Sequence, residues 1–302
     1  MPDEPFSILD VSDWDIVADE TSGAEEKYWL QEPAGTTLWL FKPVTVKQGH
    51  VHGEDWAEKV VAELGRLLGI PCARIELAEF RGRHGCISAD LRPLTFELQP
   101  GQVLLEDCAV PGYVHGTGKN HPGHTLENIR TVLDGAQPPP GCAVPFDATA
   151  YDVFAGYILL DAWVANRDRH DNNWAVLRPL IASDEPLRLC GSYDHASSLG
   201  FNVRDDTRAK RLADGSVGSW CAKGTAWRFD YEQSTTLVQL AARALELSSH
   251  DAQRYWREQL SSVSHEEVQN IIARVPRMSD PARTFAESVL SVNRRRVLDG
   301  GT

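Results

Sequence analysis

The stretch NRDRHDNN, residues 166–173, decides the fold predicted for this chain. Its residues are all polar, and they stand between the long apolar segment 147–164 and the short apolar run 174–177. The first of these flanking segments repeats at helical spacing, and the second has the length of a buried strand. Charged and amide side chains gathered between two such elements are typical of a loop that carries function.

Two residues of this stretch have the spacing that phosphoryl transfer requires. In that reaction a carboxylate orients or deprotonates the attacking hydroxyl, and an amide oxygen a few residues later binds Mg²⁺. Asp168 and Asn173 match these two roles. We therefore predict Asp168 as the catalytic carboxylate and Asn173 as a metal ligand.

A second metal ligand is expected downstream, because a Mg²⁺ ion that bridges phosphates prefers further carboxylate oxygens. The strand-like run 187–193 leads directly to Asp194. Two short strands joined by a turn would bring Asn173 and Asp194 to one end of a hairpin, so we predict Asp194 as this ligand. Singly, each of these residues could be an ordinary turn residue. Their order, with a strand between them, favours a site.

The pattern Asn-x-Asp-Arg-His-x-x-Asn, followed by a strand and Tyr-Asp, resembles the catalytic and metal-binding loops of HipA-like kinases. These are bacterial Ser/Thr kinases, often toxins, and the core of the pattern is also similar to that of phosphoinositide 3- and 4-kinases. The resemblance is specific over residues 151–200. It implies an α+β, two-lobed protein-kinase-like fold with a small β-rich N-lobe and a larger helical C-lobe. Within the loop, Asn166, Arg169 and His170 are expected to shape the backbone.

The resemblance also implies an ATP site in the N-lobe. Lys42 ends a predicted strand and is similar to the lysine that binds the ATP phosphates. A buried lysine needs a carboxylate partner, which a helix supplies in kinases. The predicted helix 54–68 offers Glu54, Glu58 and Glu63, and we choose Glu58 because its distance to residues 68–71 resembles the family pattern.

The phosphates and the adenine ring require further contacts. Gly35, Thr36 and Thr37 lie in the turn expected to cover the phosphates, and the two threonines are candidate autophosphorylation sites by analogy. With one glycine, this turn departs from the glycine-rich loops of eukaryotic kinases. The connection between the lobes is placed at residues 88–91, with Ala89 and Leu91 as adenine contacts and residues 106–107 as the rival position. Asp194 is followed by His195 and not by Phe, unlike in eukaryotic kinases.

The order of predicted elements supports two lobes. We expect residues 1–26 to form a weakly ordered lead-in, residues 27–135 the N-lobe and residues 146–302 the C-lobe, with a proline-rich break at 136–145. In the N-lobe we predict a hairpin over 28–42, a helix over 54–68, a strand over 73–77 and a β pair formed by 85–88 and 102–105. In the C-lobe we predict helices over 147–164, 234–246, 250–260, 266–273 and 281–298.

Composition restricts the class of protein. The chain has 302 residues and a net charge of −13, which argues against extended binding to a nucleic-acid backbone. Its six cysteines form no CxxC pair, which favours a reducing, cytoplasmic setting. No apolar run reaches the roughly 20 residues that a membrane span needs. We expect no membrane association.

Two further clusters of the sequence are rich in histidine or in basic residues. His115, His121 and His124 have no partner spacing for a metal site, so a flexible loop facing nucleotide or substrate is the favoured interpretation. The basic residues of 204–211 lie where kinases place their activation and substrate loop. They could form a solvated face or contact an acidic or phosphorylated substrate.

The expected activity is an ATP- and Mg²⁺-dependent transfer of the γ-phosphate to a hydroxyl, and the resemblance makes a protein Ser or Thr the first-choice acceptor. Transfer to a lipid or small molecule, or ATP binding without chemistry as in a pseudokinase, are the alternatives. HipA-like toxins pair with a DNA-binding antitoxin. Since little sequence precedes Lys42, we do not expect that toxin–antitoxin partnership here.

Overall fold

A computed structural model of the protein describes residues 4–20, 26–33, 35–116, 121–181 and 185–300. Its N-terminal half is built on a six-stranded sheet with a helix against it. The strands of this half are β1 (Ile8–Asp10), β2 (Asp15–Glu20), β3 (Lys27–Gln31), β4 (Leu38–Pro43), β5 (Val46–Lys47), β6 (His50–Val51), β7 (Ile75–Phe80) and β8 (Arg83–Ala89). The helix is α1 (Glu54–Leu67). The order in the sheet is β1-β7-β8-β4-β3-β2, and β5 and β6 form a separate hairpin.

The weak order expected for residues 1–26 is wrong where the structure describes them, because they form two strands. β1 pairs in parallel with β7, and β2 pairs antiparallel with β3, so both edges of the sheet come from this segment. Val11 is fully buried, and the Trp14 ring lies 6.2 Å from that of Trp39. Residues 1–26 are rich in acidic side chains, but their apolar residues Val11 and Trp14 pack on the apolar layer of the sheet. The lobe boundaries themselves stay a prediction.

Strand β4 positions the predicted ATP lysine. The β3–β4 hairpin is confirmed, with Tyr28 opposite Phe41 and Gln31 opposite Leu38. Because side chains alternate across a strand, Phe41 packs in the apolar layer on one face while Lys42 faces the other. Lys42 also lies opposite Cys86 of the central strand β8, so sheet pairing holds its backbone on that side.

Helix α1 agrees with the predicted helix 54–68 and packs against β7 and β8. Its apolar residues recur at helical spacing, and Val60, Val61 and Leu64 are fully buried. Glu58 lies on the same buried side, with no exposed surface. A carboxylate removed from water in this way needs charged or hydrogen-bonding partners.

The β pair expected between 85–88 and 102–105 is wrong. Residues 85–88 belong to β8, whose neighbours are β4 and β7, and residues 102–105 lie within helix α2 (Gly101–Asp107). A short apolar run does not distinguish strand from helix by periodicity alone. The preceding residues form β9 (Phe96–Pro100), which pairs with β10 (Ala175–Pro179), and β10 pairs with β11 (Arg188–Leu189).

The C-terminal half is helical, as predicted. Helix α3 (Leu126–Val132) leads to the long helix α4 (Ala150–Val164), followed by α5 (Asp205–Ala213), α6 (Val217–Ala222), α7 (Leu237–Glu246), α8 (His250–Ser262), α9 (His265–Ala273) and α10 (Asp280–Leu298). The expected helices in this half all have a counterpart. Helices α2, α3, α5 and α6 were not predicted, because each is short and its apolar pattern covers fewer than three turns.

Helix α4 is the centre of the helical half. All of its residues are buried, and α7, α8 and α10 pack around it. Thr149 and Asp152 cap its first turn reciprocally, and it ends where Ala165 takes a left-handed φ of 58°. The polar loop of residues 166–173 therefore starts from a rigid helix end. Among the described residues no helix is long and apolar enough to cross a membrane.

Candidate active site

A cleft of about 530 Å³ lies between the six-stranded sheet and the three-stranded sheet of β9, β10 and β11. Its walls combine apolar side chains with a few convergent polar groups, as nucleotide-sized sites usually do. The lining residues are Lys27, Trp29, Leu40, Lys42, Ser88, Ala89, Asp90, Leu91, Leu98, Pro100, His170, Asn172, Asn173, Tyr193 and Asp194. Six of the predicted site residues are therefore in one cleft: Lys42, Ala89, Leu91, His170, Asn173 and Asp194.

Lys42 joins two carboxylates at the back of this cleft. Its Nζ donates to Glu58 Oε1 at 2.7 Å and to Asp194 Oδ1 at 2.9 Å. Burial alone would lower the pKa of Lys42, but Asp194 and Glu58 raise it well above its ordinary value. The amine is therefore a permanent cation. The same pairing keeps the pKa of Asp194 well below its usual range, although burial opposes this.

The chain turns sharply at Asp194 to make this contact. Asp194 has a φ of 59°, in the left-handed region that few residues other than glycine, asparagine and aspartate adopt. The backbone N–H of His195 donates to Glu58 Oε2 at 2.9 Å, so both oxygens of Glu58 are used. Unusual backbone held by surrounding bonds is common at functional sites. Glu58 thereby ties Lys42 to the segment that carries Asp194.

The frame of the polar loop is a buried ion pair. Arg169 donates Nε and Nη2 to the two oxygens of Asp161, at 2.7 and 2.8 Å, and both side chains are buried. Asp161 also accepts from Asn166 Nδ2 at 2.8 Å. The remaining Arg169 nitrogen, Nη1, donates to the carbonyls of Asn173 at 2.6 Å and Tyr193 at 3.2 Å. One guanidinium therefore joins the two segments that carry the predicted metal ligands.

Asn173 is oriented so that its amide oxygen is the available end. Its Nδ2 donates to the carbonyl of Asp168 at 2.8 Å, and the described residues give Oδ1 no hydrogen-bond donor. Asp194 likewise uses Oδ1 for Lys42 and has no partner on Oδ2 among the residues that the structure describes. An amide oxygen and a carboxylate oxygen facing one cleft fit the oxygen ligands that Mg²⁺ prefers.

Asp168 lies beside the cleft and not in its lining, and a residue that the sequence did not indicate holds it. Arg228 Nε and Nη2 approach Asp168 Oδ1 at 2.7 and 2.6 Å. Both side chains are only partly buried. Arg228 follows α6 by several residues and belongs to no motif, so a single sequence offered no signal for it.

Residues predicted to cover the phosphates do not line the cleft. Gly35 closes the β3–β4 turn through a hydrogen bond from its N–H to the Glu32 carbonyl at 3.0 Å, and Thr36 and Thr37 follow it. Ala34 of the same turn lies outside the described residues. The structure thus places these three residues on the hairpin that carries Lys42, but it does not bring them to the cleft wall.

In the predicted connection between the lobes, the backbone N–H groups of Ala89 and Leu91 differ in whether the protein already uses them. The N–H of Ala89 donates to the Arg74 carbonyl at 2.9 Å, so β-sheet pairing already uses it. Leu91 follows the sheet and lines the cleft, and the described residues give its N–H no acceptor. The rival position, residues 106–107, lies on α2 and outside the cleft lining. Of the two positions, the geometry favours 88–91.

Two histidines of the segment expected to be a flexible loop, His121 and His124, are packed, whereas His115 is exposed. His124 is fully buried, its Nε2 accepts from Trp174 Nε1 at 3.1 Å, and its Nδ1 donates to the Arg228 carbonyl at 2.8 Å. His121 is also buried, with Nε2 at 3.1 Å from Arg228 Nη1. Residues 117–120 of this segment lie outside the described part of the chain. His170 stacks on His121 at 6.4 Å while it also lines the cleft.

The basic cluster expected over 204–211 is partly internal. Arg208 is buried, donates to Asp205 at 2.7 Å and to the Gly200 carbonyl at 2.9 Å, and so is no part of a surface for substrate. Arg204 and Lys210 remain exposed. The reason is the fold of α5, which turns one face of the cluster onto the segment that follows Asp194.

His124 gives the stability of this region a pH dependence. Burial lowers its pKa to about 4, below the ordinary value of 6.5. Because the native pKa lies below that of the unfolded chain, the contribution of His124 is complete above about pH 6.5 and is lost as the pH falls toward 4. Relative to His124→Gln, the wild type should lose on the order of 3 kcal/mol of unfolding free energy between pH 7 and pH 4.

Denaturant titrations of both proteins at the two pH values measure this change. Comparison with the variant cancels the titration of groups that the two proteins share, such as Asp55, whose pKa burial raises to about 6. If the wild type and His124→Gln differ in unfolding free energy by the same amount at pH 7 and at pH 4, a neutral, buried His124 is contradicted.

Comparison with solved structures supports the fold. The kinase CtkA of Helicobacter pylori, described as proinflammatory, matches with a TM-score of 0.71 and 16% identity, covering 98% of this chain and 97% of that one. HipA of Shewanella oneidensis MR-1, solved with HipB and operator DNA, matches with a TM-score of 0.46 and 12% identity over 98% and 67%. The Golgi casein kinase with Mn/ADP bound matches with a TM-score of 0.47 and 12% identity over 99% and 74%.

The α+β, protein-kinase-like fold predicted from the loop is therefore confirmed, and the match to CtkA carries this conclusion. At 16% identity this match shows the fold, and the resemblance to HipA-like kinases stays an expectation from the sequence. No protein-family model matches the sequence, and no curated protein does. The roles of individual residues stay predictions.

Proposed function

We propose that this protein is an ATP- and Mg²⁺-dependent phosphotransferase. The observation that carries the proposal is the convergence of Lys42, Asn173 and Asp194 in one cleft of about 530 Å³. A fixed cation and two oxygen ligands are what a nucleoside triphosphate with its metal requires. The kinase fold shared with CtkA, and the bound Mn/ADP of the Golgi casein kinase, agree with this chemistry.

Each residue then has a defined task. Lys42 binds phosphate oxygens of ATP, and Glu58 holds its amine in place. Asn173 and Asp194 would hold Mg²⁺, which neutralises charge on the phosphates when it is bound. The N–H of Leu91 offers a hydrogen bond to the adenine edge. The apolar walls of Trp29, Leu40 and Leu98 would enclose the base.

Asp168 acts on the acceptor. Its Oδ2 has no protein partner among the described residues, since Arg228 uses Oδ1. Placed beside the cleft, Oδ2 accepts the proton of an acceptor hydroxyl while the oxygen of that hydroxyl bonds to the γ-phosphorus. The bond between the γ-phosphorus and the bridging oxygen breaks, and ADP leaves with the released electron pair.

For the acceptor we propose a Ser or Thr hydroxyl of a protein, as the HipA-like resemblance implies. Transfer to a small molecule or lipid is the second candidate, because the Asp-Arg-His-x-x-Asn core is shared with phosphoinositide kinases. ATP binding without transfer is the third. The chain has a candidate for each role that transfer needs, namely Lys42, Asp168, Asn173 and Asp194, and this supports transfer over the third.

The direct test is transfer of labelled γ-phosphate from ATP by the wild type and by Lys42→Met, with Mg²⁺ or with EDTA. Autophosphorylation, dephosphorylated casein, phosphoinositide vesicles and free inositol serve as acceptor assays. We expect transfer that needs Mg²⁺ and falls by on the order of 100-fold or more in the variant, because the methionine cannot bind phosphate. Lys47→Met, on the exposed β5–β6 hairpin, is the matched control. Equal transfer in wild type and Lys42→Met would refute the role of the cleft.

A further inference from the structure

Arg228 holds the candidate catalytic carboxylate in an asymmetric way. Two of its nitrogens, Nε and Nη2, approach the same oxygen of Asp168, Oδ1, at 2.7 and 2.6 Å. The contacts of Asp168 within the loop are made by its backbone: its N–H donates to Asn166 Oδ1 at 3.1 Å, and its carbonyl accepts from Asn173 Nδ2 and from the His170 N–H, both at 2.8 Å. Among the described residues, Arg228 alone therefore fixes the direction of the Asp168 carboxylate.

Arg228 is itself held by a packed structure. Its Nη1 donates to His121 Nε2 at 3.1 Å, and its guanidinium lies 3.8 Å from the centre of the Trp227 ring. Its backbone carbonyl accepts from the buried His124, whose ring stacks on Phe229 at 4.5 Å. A guanidinium held by a hydrogen bond and an aromatic ring loses less freedom when it binds a carboxylate than a free one does.

The same structure reaches the metal side of the loop. His124 accepts a hydrogen bond from Trp174, the residue that follows Asn173. A second hydrogen bond joins the histidine segment to the segment that carries Arg228, because the Gly123 N–H donates to the Asp230 carboxylate at 2.9 Å. Arg228, Asp168 and Asn173 are thus parts of one packed unit, although their positions in the sequence are far apart.

We propose that Arg228 is a positioning residue for phosphoryl transfer. By occupying Oδ1, it directs Oδ2 of Asp168 toward the acceptor hydroxyl, and it does so before either substrate arrives. His121 and Trp227 support it by fixing the plane of the guanidinium. The proposal rests on the proposed function, since it assigns Asp168 to the acceptor.

A change at Arg228 should then affect the chemical step and spare nucleotide binding. Arg228 is not in the lining of the ATP cleft, so the affinity for Mg²⁺·ATP should stay within about twofold. A carboxylate that turns freely misplaces its oxygen by about 1 Å or more, and displacements of that size cost on the order of 100-fold in rate. Lysine cannot reproduce a two-nitrogen fork, so Arg228→Lys should be impaired nearly as much as Arg228→Leu.

The experiment compares wild type, Arg228→Lys, Arg228→Leu and Arg167→Leu in autophosphorylation and casein phosphorylation. Arg167 is the matched control, because it is the exposed residue next to Asp168 and contacts Thr225 and not the carboxylate. We expect kcat to fall by on the order of 100-fold in both Arg228 variants and to change less than about threefold in Arg167→Leu. Added guanidinium at non-denaturing concentration should partly restore Arg228→Leu, whereas methylammonium should not.

A structural measurement keeps the inference separate from the proposed function. Crystal structures of wild type and Arg228→Leu report the orientation of the Asp168 carboxylate whether or not an acceptor is known. An unchanged carboxylate in the variant, or wild-type kcat in Arg228→Leu, would overturn the role of Arg228. Absence of ATP turnover in the wild type would instead refute the proposed function, and the orientation of Asp168 in the two structures would still decide the positioning role.

Discussion

Asp168→Asn should lose phosphate transfer by a factor of about 100 to 10,000 and keep its affinity for Mg²⁺·ATP. The side chain has the same size, and its Oδ1 can still accept from Arg228. An amide cannot take the proton of the acceptor hydroxyl. The variant therefore loses the proton acceptor and keeps the position of the side chain. Asp168 is also absent from the cleft lining, which is why nucleotide binding should not change.

Single-turnover transfer and equilibrium binding of ATP measure the two quantities separately. Asp206→Asn, an exposed carboxylate at the start of α5, controls for the loss of one negative charge. Equal transfer by the wild type and Asp168→Asn would show that another group accepts the proton. A large loss of ATP affinity would show that Asp168 serves the nucleotide and not the acceptor.

Of the substitutions considered for stability, Asp161→Leu should cause the largest loss, about 3–5 kcal/mol of unfolding free energy. The substitution leaves the Arg169 guanidinium buried without its carboxylate, and a charge in that position has lost its hydration. Asn166 loses a partner as well, because its Nδ2 donates to Asp161. The loop that carries Asp168 and Asn173 should loosen together with the fold.

Denaturant unfolding of the wild type and three variants tests this expectation. Asp251→Leu is the matched control, because Asp251 pairs with Arg254 at 2.6 Å on the surface and should contribute less than about 1 kcal/mol. The double variant Asp161→Leu/Arg169→Leu should recover part of the loss, since it removes the unpaired charge. Equal losses for Asp161→Leu and Asp251→Leu would contradict a buried ion pair as the frame of the loop.

The loop could be predicted because its chemistry is local in sequence. Asp168 and Asn173 lie within one turn of chain, and a short hairpin brings Asp194 back to them. The apolar pattern also predicts α4, and Asp161, the charge that interrupts the apolar run after Phe154, is the partner of Arg169. A polar residue in a buried helix is costly without a partner, so its position indicated an internal contact.

Other parts of the site depend on contacts that no local pattern records. Arg228 reaches Asp168 across 60 positions of sequence, through a segment between two helices. Strands β1 and β2 form because the sheet offers them edges to pair with, although their acidic composition alone favours disorder. The packing of His124 likewise follows from Trp174 and Phe229, which only the fold brings to it.

The most direct test of the account is a crystal structure of the wild type with a non-hydrolysable ATP analogue and Mn²⁺, read from the anomalous signal of the metal. We expect a Mn²⁺ peak within about 2.5 Å of oxygens of both Asn173 and Asp194, with phosphate oxygens beside Lys42 and the γ-phosphate facing Asp168. A metal peak away from both ligands, or a nucleotide bound outside the cleft between the two sheets, would contradict it.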